Sequence, residues 1–67
     1  MRVKMRQLRI EKGYTQAGLA KELGISSSHY SQVEEGNKQP SLNLGLRIKK
    51  TLGYYGDDIF DKAVNPK

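Results

Sequence analysis

Only Gly24, Ile25 and Ser26 separate two stretches whose apolar residues recur at helical spacing. Before this joint stand Leu19, Ala20 and Leu23; after it come Tyr30 and Val33. A joint so short leaves no room for a crossover, and it forces the two helices to meet at a sharp angle over a shared core. The residue types agree with their places. Glycine ends the first helix by adopting a left-handed conformation, and Ser26 starts the second by capping its free amides.

The same punctuation runs through the rest of the chain. Gly13, Gly36, Gly53 and Gly56, with Pro40 among them, bound segments of helical period that show no strand alternation. Five helices are expected. The first covers about 3 to 12, with Met5 and Leu8 on one face, Arg9 beside them and Gly13 as stop. The second, capped by Thr15, covers 16 to 23, and the third, capped by Ser26, runs to 35. The fourth follows Pro40, is capped by Ser41 and covers 42 to 52, with Leu42, Leu46, Ile48 and Leu52 as its apolar face. The fifth starts at Asp57, which favours the positive end of the helix dipole. It runs to about Ala63 with Ile59 and Phe60 facing inward. The expected fold is all-α and compact, a single domain over 1–67 with its paired helices at about 15–35 and a last helix and tail at 57–67. A chain of 67 residues buries only about 60% of its unfolded surface, so its core has little to spare.

Composition narrows the functional classes. The net charge is +5 and the pI about 9.7. Arg2, Lys4, Arg6, Arg9 and Lys12 face only Glu11 in the first segment, while Asp57, Asp58 and Asp61 make the tail acidic. A basic surface suits a polyanion, nucleic acid before membrane, although an ordinary solubilising excess explains this charge equally well. The absence of cysteine excludes a disulfide framework or a thiolate zinc site and fits a cytoplasmic setting. No apolar run approaches the roughly 20 residues of a membrane span. With one histidine and no glycine-rich phosphate loop, the chain lacks the inventory of an enzyme. No metal, cofactor or small-molecule ligand is expected.

A helical wheel over 27 to 35, at about 100° per residue, puts Tyr30 and Val33 on the core side. Ser28, Ser31, Gln32 and Glu35 lie opposite, Ser27 flanks them, and His29 and Glu34 sit at the edges. The outer face is short, polar and able both to donate and to accept, which are the properties that read base edges in a major groove. A plain solvated face is the other reading, but lysine and glutamate ordinarily fill such faces.

With these residues in view, "RIEKGYTQAGLAKELGISSSHYSQVEEGNKQPSL" resembles the Cro/phage-repressor-type (xenobiotic-response-element) helix-turn-helix regulators. The resemblance spans about Met5 to Phe60 through "YTQAGLAKELGIS", "EEGNKQPS" and the late "DDIF". It implies a lambda-repressor-like domain that binds double-stranded DNA and regulates transcription, as a nucleoid-associated repressor in the cytoplasm. By position, it implies base contacts from Ser27, Ser28 and Gln32, with Ser31 beside them. Gln16 would bind a phosphate and brace the third helix, and Asn37, Lys38 and Gln39 would lie along the DNA backbone, partly through their amides. It also pairs Arg9 with Glu34 in a structural salt bridge.

Some positions depart from the family. Glu35 adds negative charge near the groove, Gly18 interrupts the second helix, and Gly45 leaves a volume that the Lys49 stem could fill. His29 is read as resting against a helix edge, with DNA contact the alternative. A domain of this size reads few base pairs, so a homodimer on a pseudo-palindrome is expected, with Tyr54, Tyr55, Ile59 and Phe60 as candidate interface residues. The chain could also be a fragment that lacks its dimerising part. The rival function is a protein-interaction module, such as an antitoxin or a modulator of another regulator. It would require large apolar anchors on the third helix, and Ser28, Ser31 and Gln32 supply none.

Overall fold

The computed structural model describes residues 1–62. Four α-helices follow in order: α1 (Val3–Glu11), α2 (Gln16–Leu23), α3 (Ser27–Glu35) and α4 (Leu42–Leu52). A single 3₁₀ turn, Asp57–Phe60, comes after them. The caps are those read from the sequence. Thr15 accepts from the Gly18 amide at 2.9 Å, Ser26 from His29 at 3.0 Å and Ser41 from Leu44 at 3.1 Å. The Gly18 amide meets the Thr15 hydroxyl so closely that a Cβ there would lie 3.1 Å from it.

The joint between α2 and α3 turns on Gly24, at φ 75°. Its amide returns to the Lys21 carbonyl and that of Ile25 to Ala20, the paired closure that a left-handed glycine permits. α2 thereby lies against α3 as its most extensive partner and also packs on α4, while α1 covers α3 and the 3₁₀ turn. Met5, Leu19, Ala20, Leu23, Tyr30, Val33, Leu44, Ile48, Leu52 and Ile59 form one continuous core.

Three expectations are corrected. The fifth helix is one 3₁₀ turn that ends at Phe60, with Asp61 already extended; the expected end at Ala63 lies outside the described residues. Ile59 and Phe60, adjacent in sequence, are used on different surfaces. Ile59 enters the core, whereas the Phe60 ring lies over Gly45, 3.2 Å from where a Cβ would stand. Gly45 therefore makes room for Phe60 and not for Lys49, whose ammonium instead pairs with Asp57 at 2.6 Å.

The face of α4 is the third correction. Its buried stripe is Leu44, Gly45, Ile48 and Leu52, and Leu42 and Leu46 are 82% and 55% exposed. At about 100° per residue, Leu42 and Leu46 form a stripe of their own on the far side from Ile48. The helix carries two apolar stripes, only one of which reaches the core.

Candidate nucleic-acid interface

α3 is held from behind by a closed network on Glu34, which is fully buried. Glu34 Oε1 accepts from Arg9 Nε at 2.8 Å and from the Tyr30 hydroxyl at 2.7 Å. Oε2 accepts from Arg9 Nη2 at 3.3 Å and from Gln16 Nε2 at 3.0 Å. Arg9 Nη1 closes the loop on the Tyr14 carbonyl at 2.8 Å. Burial pushes the Glu34 carboxyl up, but hydrogen bonds from Arg9, Tyr30 and Gln16 outweigh it and hold it below the usual carboxylate value. The hydrogen bond to Glu34 raises Arg9. The Tyr30 phenol is pushed well up, first by burial and then by its bond to Glu34. The network locks α1, α2 and α3 into one unit. Gln16 spends one amide hydrogen on it and keeps a second.

In front of this network lies the polar face. Ser27 and Ser28 are exposed, Ser31 and Gln32 are half-buried, and the Ser31 hydroxyl donates to Glu35 at 3.4 Å. Glu35 thus partly occupies Ser31, leaving Ser27, Ser28 and Gln32 as the freer groups. His29 is half-buried.

Beyond Gly36 the chain exits through Asn37, Lys38 and Gln39, all exposed. The amides of Asn37 and Lys38 both turn inward to the Gln32 carbonyl, at 2.9 and 3.2 Å. These two amides are therefore engaged within the domain. The Gln39 amide makes no hydrogen bond among the described residues, and the Asn37 and Lys38 side chains remain on the surface. The Gln39 side-chain carbonyl is engaged by Arg2 Nη2 at 2.6 Å.

Arg2 itself is the residue that the sequence reading missed. Counted there with the basic surface, it is 1% exposed. Its Nε donates to the Phe60 carbonyl at 2.9 Å and its Nη1 to those of Val33 and Lys38, while its backbone amide donates to Glu34 O. Burial lowers its pKa from the ordinary arginine value, though a guanidinium stays charged in proteins. A signal was present: Arg2, Met5 and Arg9 recur at helical spacing, in phase with the core side of α1.

Of the expected interface residues, Ile59 is completely buried within the domain and has no surface to offer. Tyr54 is half-buried, donates to Asp58 at 2.7 Å and receives the Lys4 ammonium 5.4 Å from its ring centroid. Phe60 is half-buried on Gly45, and Tyr55 is 91% exposed. Leu42 and Leu46 lie near them, lining a cleft of about 240 Å³ with Pro40, Lys49, Asp57 and Phe60.

Two helices joined by a three-residue turn, the second braced behind and polar in front, define the helix-turn-helix class. The chain belongs to the Cro/C1-type helix-turn-helix family, whose Helix-turn-helix model matches residues 5–59. It is 53% identical over 56 residues to the uncharacterised HTH-type transcriptional regulator YazB of Bacillus subtilis, covering 84% of this chain and 81% of that protein. A second Bacillus subtilis regulator so named, YqaF, is 32% identical over 65 residues, covering 97% of this chain and 86% of its own. An HTH-type regulator of Methanocaldococcus jannaschii is 38% identical over 60 residues, covering 90% and 91%. These relatives are named as regulators of transcription, not as enzymes. No solved structure gives a significant match. Among the described residues no helix is long and apolar enough to cross a membrane.

Proposed function

We propose that the protein is a sequence-specific double-stranded DNA-binding repressor that occupies a pseudo-palindromic operator as a homodimer. In this reading α3 lies in the major groove, about 12 Å wide. The observation that carries it is the division of α3: a locked carboxylate network behind, and Ser27, Ser28 and Gln32 free in front. Small side chains let the helix approach base edges closely. Glutamine can pair with adenine through two hydrogen bonds, and a serine hydroxyl can donate or accept. Gln16 would offer its remaining amide hydrogen to a phosphate, and Asn37, Lys38 and the Gln39 amide would follow the backbone.

Dimerisation would use the outer stripe of α4. Leu42 and Leu46 are its exposed apolar residues, with Tyr55 beyond the helix, also exposed, and Tyr54 and Phe60 at the margin. Pairing of this patch about a two-fold axis would have to set two copies of α3 about 34 Å apart, one turn of the duplex.

The test is selection from a randomised duplex library at two salt concentrations, followed by binding of the enriched site. Paired half-sites with steep salt dependence are expected. Gln32→Ala should cost about 1–3 kcal/mol at one base pair in each half-site and relax the preference there. Binding without sequence enrichment would reject this assignment and leave only a basic surface that attracts phosphate.

A further inference from the structure

We infer that Arg2 is a positioning residue for DNA binding, a clamp that fixes the loop after α3 in its phosphate-contacting conformation. The inference rests on the DNA-binding reading above. A buried cation ordinarily has a carboxylate partner, because removing charge from water is costly. Among the described residues no carboxylate lies within ion-pair distance of Arg2. Its guanidinium is satisfied instead by backbone carbonyls of Val33, Lys38 and Phe60 and by the side-chain carbonyl of Gln39. The negative end of the α3 dipole, where the Val33 and Glu34 carbonyls lie, is its electrostatic counterpart.

An apolar side chain could fill the same volume without that desolvation. What arginine adds is direction: a rigid fork of donors that reaches the last turn of α3 and two successive residues of one short loop. From the other side, the Asn37 and Lys38 amides grip the Gln32 carbonyl. The loop is therefore fixed through both its carbonyls and its amides. The Lys38 side chain and the Gln39 backbone amide, on exposed residues, have no partner among the described residues. The Phe60 carbonyl ties the same guanidinium to the 3₁₀ turn, so the loop is also referenced to the opposite end of the chain.

The clamp predicts a pattern that a purely structural arginine would not give. Arg2→Lys keeps a cation at the helix end but loses the fork. At a temperature where the variant is fully folded by circular dichroism, its affinity for the selected duplex should fall about tenfold. The salt slope should drop by about one, while the selected sequence is unchanged. Hydrogen exchange at the Asn37 and Lys38 amides should accelerate, and that of the α2 amides should not. A core variant, Leu52→Ala, matched for loss of thermal stability, should keep the salt slope of the unmodified protein.

Folded Arg2→Lys with unchanged slope and loop exchange would overturn the inference, as would faster loop exchange with unchanged DNA affinity. If Arg2→Lys does not fold, Gln39→Ala carries the test, because it removes only the outer end of the clamp at an exposed position. Loss of Asn37 and Lys38 protection supports the clamp; intact protection with weaker binding makes Gln39 a direct contact and overturns it. Failure of the unmodified protein to select any sequence is a different result, which removes the DNA-binding reading and this inference together.

Discussion

Arg2, at the N-cap of α1, and Arg9, two turns on, are both buried on its inner side, and both fasten α3. Arg9 meets a carboxylate, in a network that also takes in Tyr30 and Gln16. Arg2 meets only carbonyl oxygens. The first arrangement joins charge to charge and holds α3 against its neighbours through a side chain of its last turn. The second joins charge to backbone and holds the place where the chain leaves that helix. Burial of a cation thus serves two purposes here. One fixes where a helix lies, and the other fixes the shape of a loop.

Breaking the Arg9 side should have the larger effect on stability. Arg9→Met strands the buried Glu34 carboxylate, and urea unfolding at neutral pH should show a loss of about 3–5 kcal/mol. A loss below about 1 kcal/mol would mean that the network is no more than a solvated ion pair. Proton linkage sharpens the contrast further. Glu34 is held below its ordinary value in the folded protein, so its stabilisation is fully present above the unfolded glutamate pKa of about 4.3. It is lost as pH falls through the depressed folded value. Urea titrations from pH 7 down to pH 3 should therefore show acid destabilisation that Glu34→Gln largely removes. Arg2, with no carboxylate partner, contributes no such dependence.

The smallest effect belongs to the pair outside both networks. Asp57 is almost fully exposed where it meets Lys49, and Lys49→Ala should change unfolding free energy by less than about 1 kcal/mol. A larger loss would show that this pair, and not the Phe60 contact with Gly45, secures the 3₁₀ turn.

How far the sequence disclosed this arrangement depended on the range of the interactions. Thr15, Ser26, Ser41 and Gly24 act within one helical turn, so residue type and position were enough to place α2, α3 and α4. The Arg9–Glu34 pair was legible because a familiar pattern carried it. Arg2 was not, since its acceptors lie 31, 36, 37 and 58 residues away and three of them are backbone atoms, which no side-chain pattern advertises. Its charge drew it to the surface in the reading, although its phase placed it with Met5. On α4 the error ran the other way. Residue type alone points Leu42 and Leu46 to the core, although the helical angle sets them apart from Ile48. On the 3₁₀ turn, the pairing role of Ile59 fails because its burial comes from tertiary packing, with α1 against the turn.

The bond from Arg2 to Phe60 spans 58 residues, nearly the whole chain, in a domain whose helix caps and turns are local. Closing so long a loop costs more chain entropy than any helix-capping contact, and distant pairings slow folding. So distant a contact is expected to close only after the helices have condensed. A contact formed after the folding barrier acts on the unfolding rate and leaves the folding rate nearly unchanged. Arg2 is accordingly expected to lengthen the lifetime of the folded domain by slowing the release of the loop after α3.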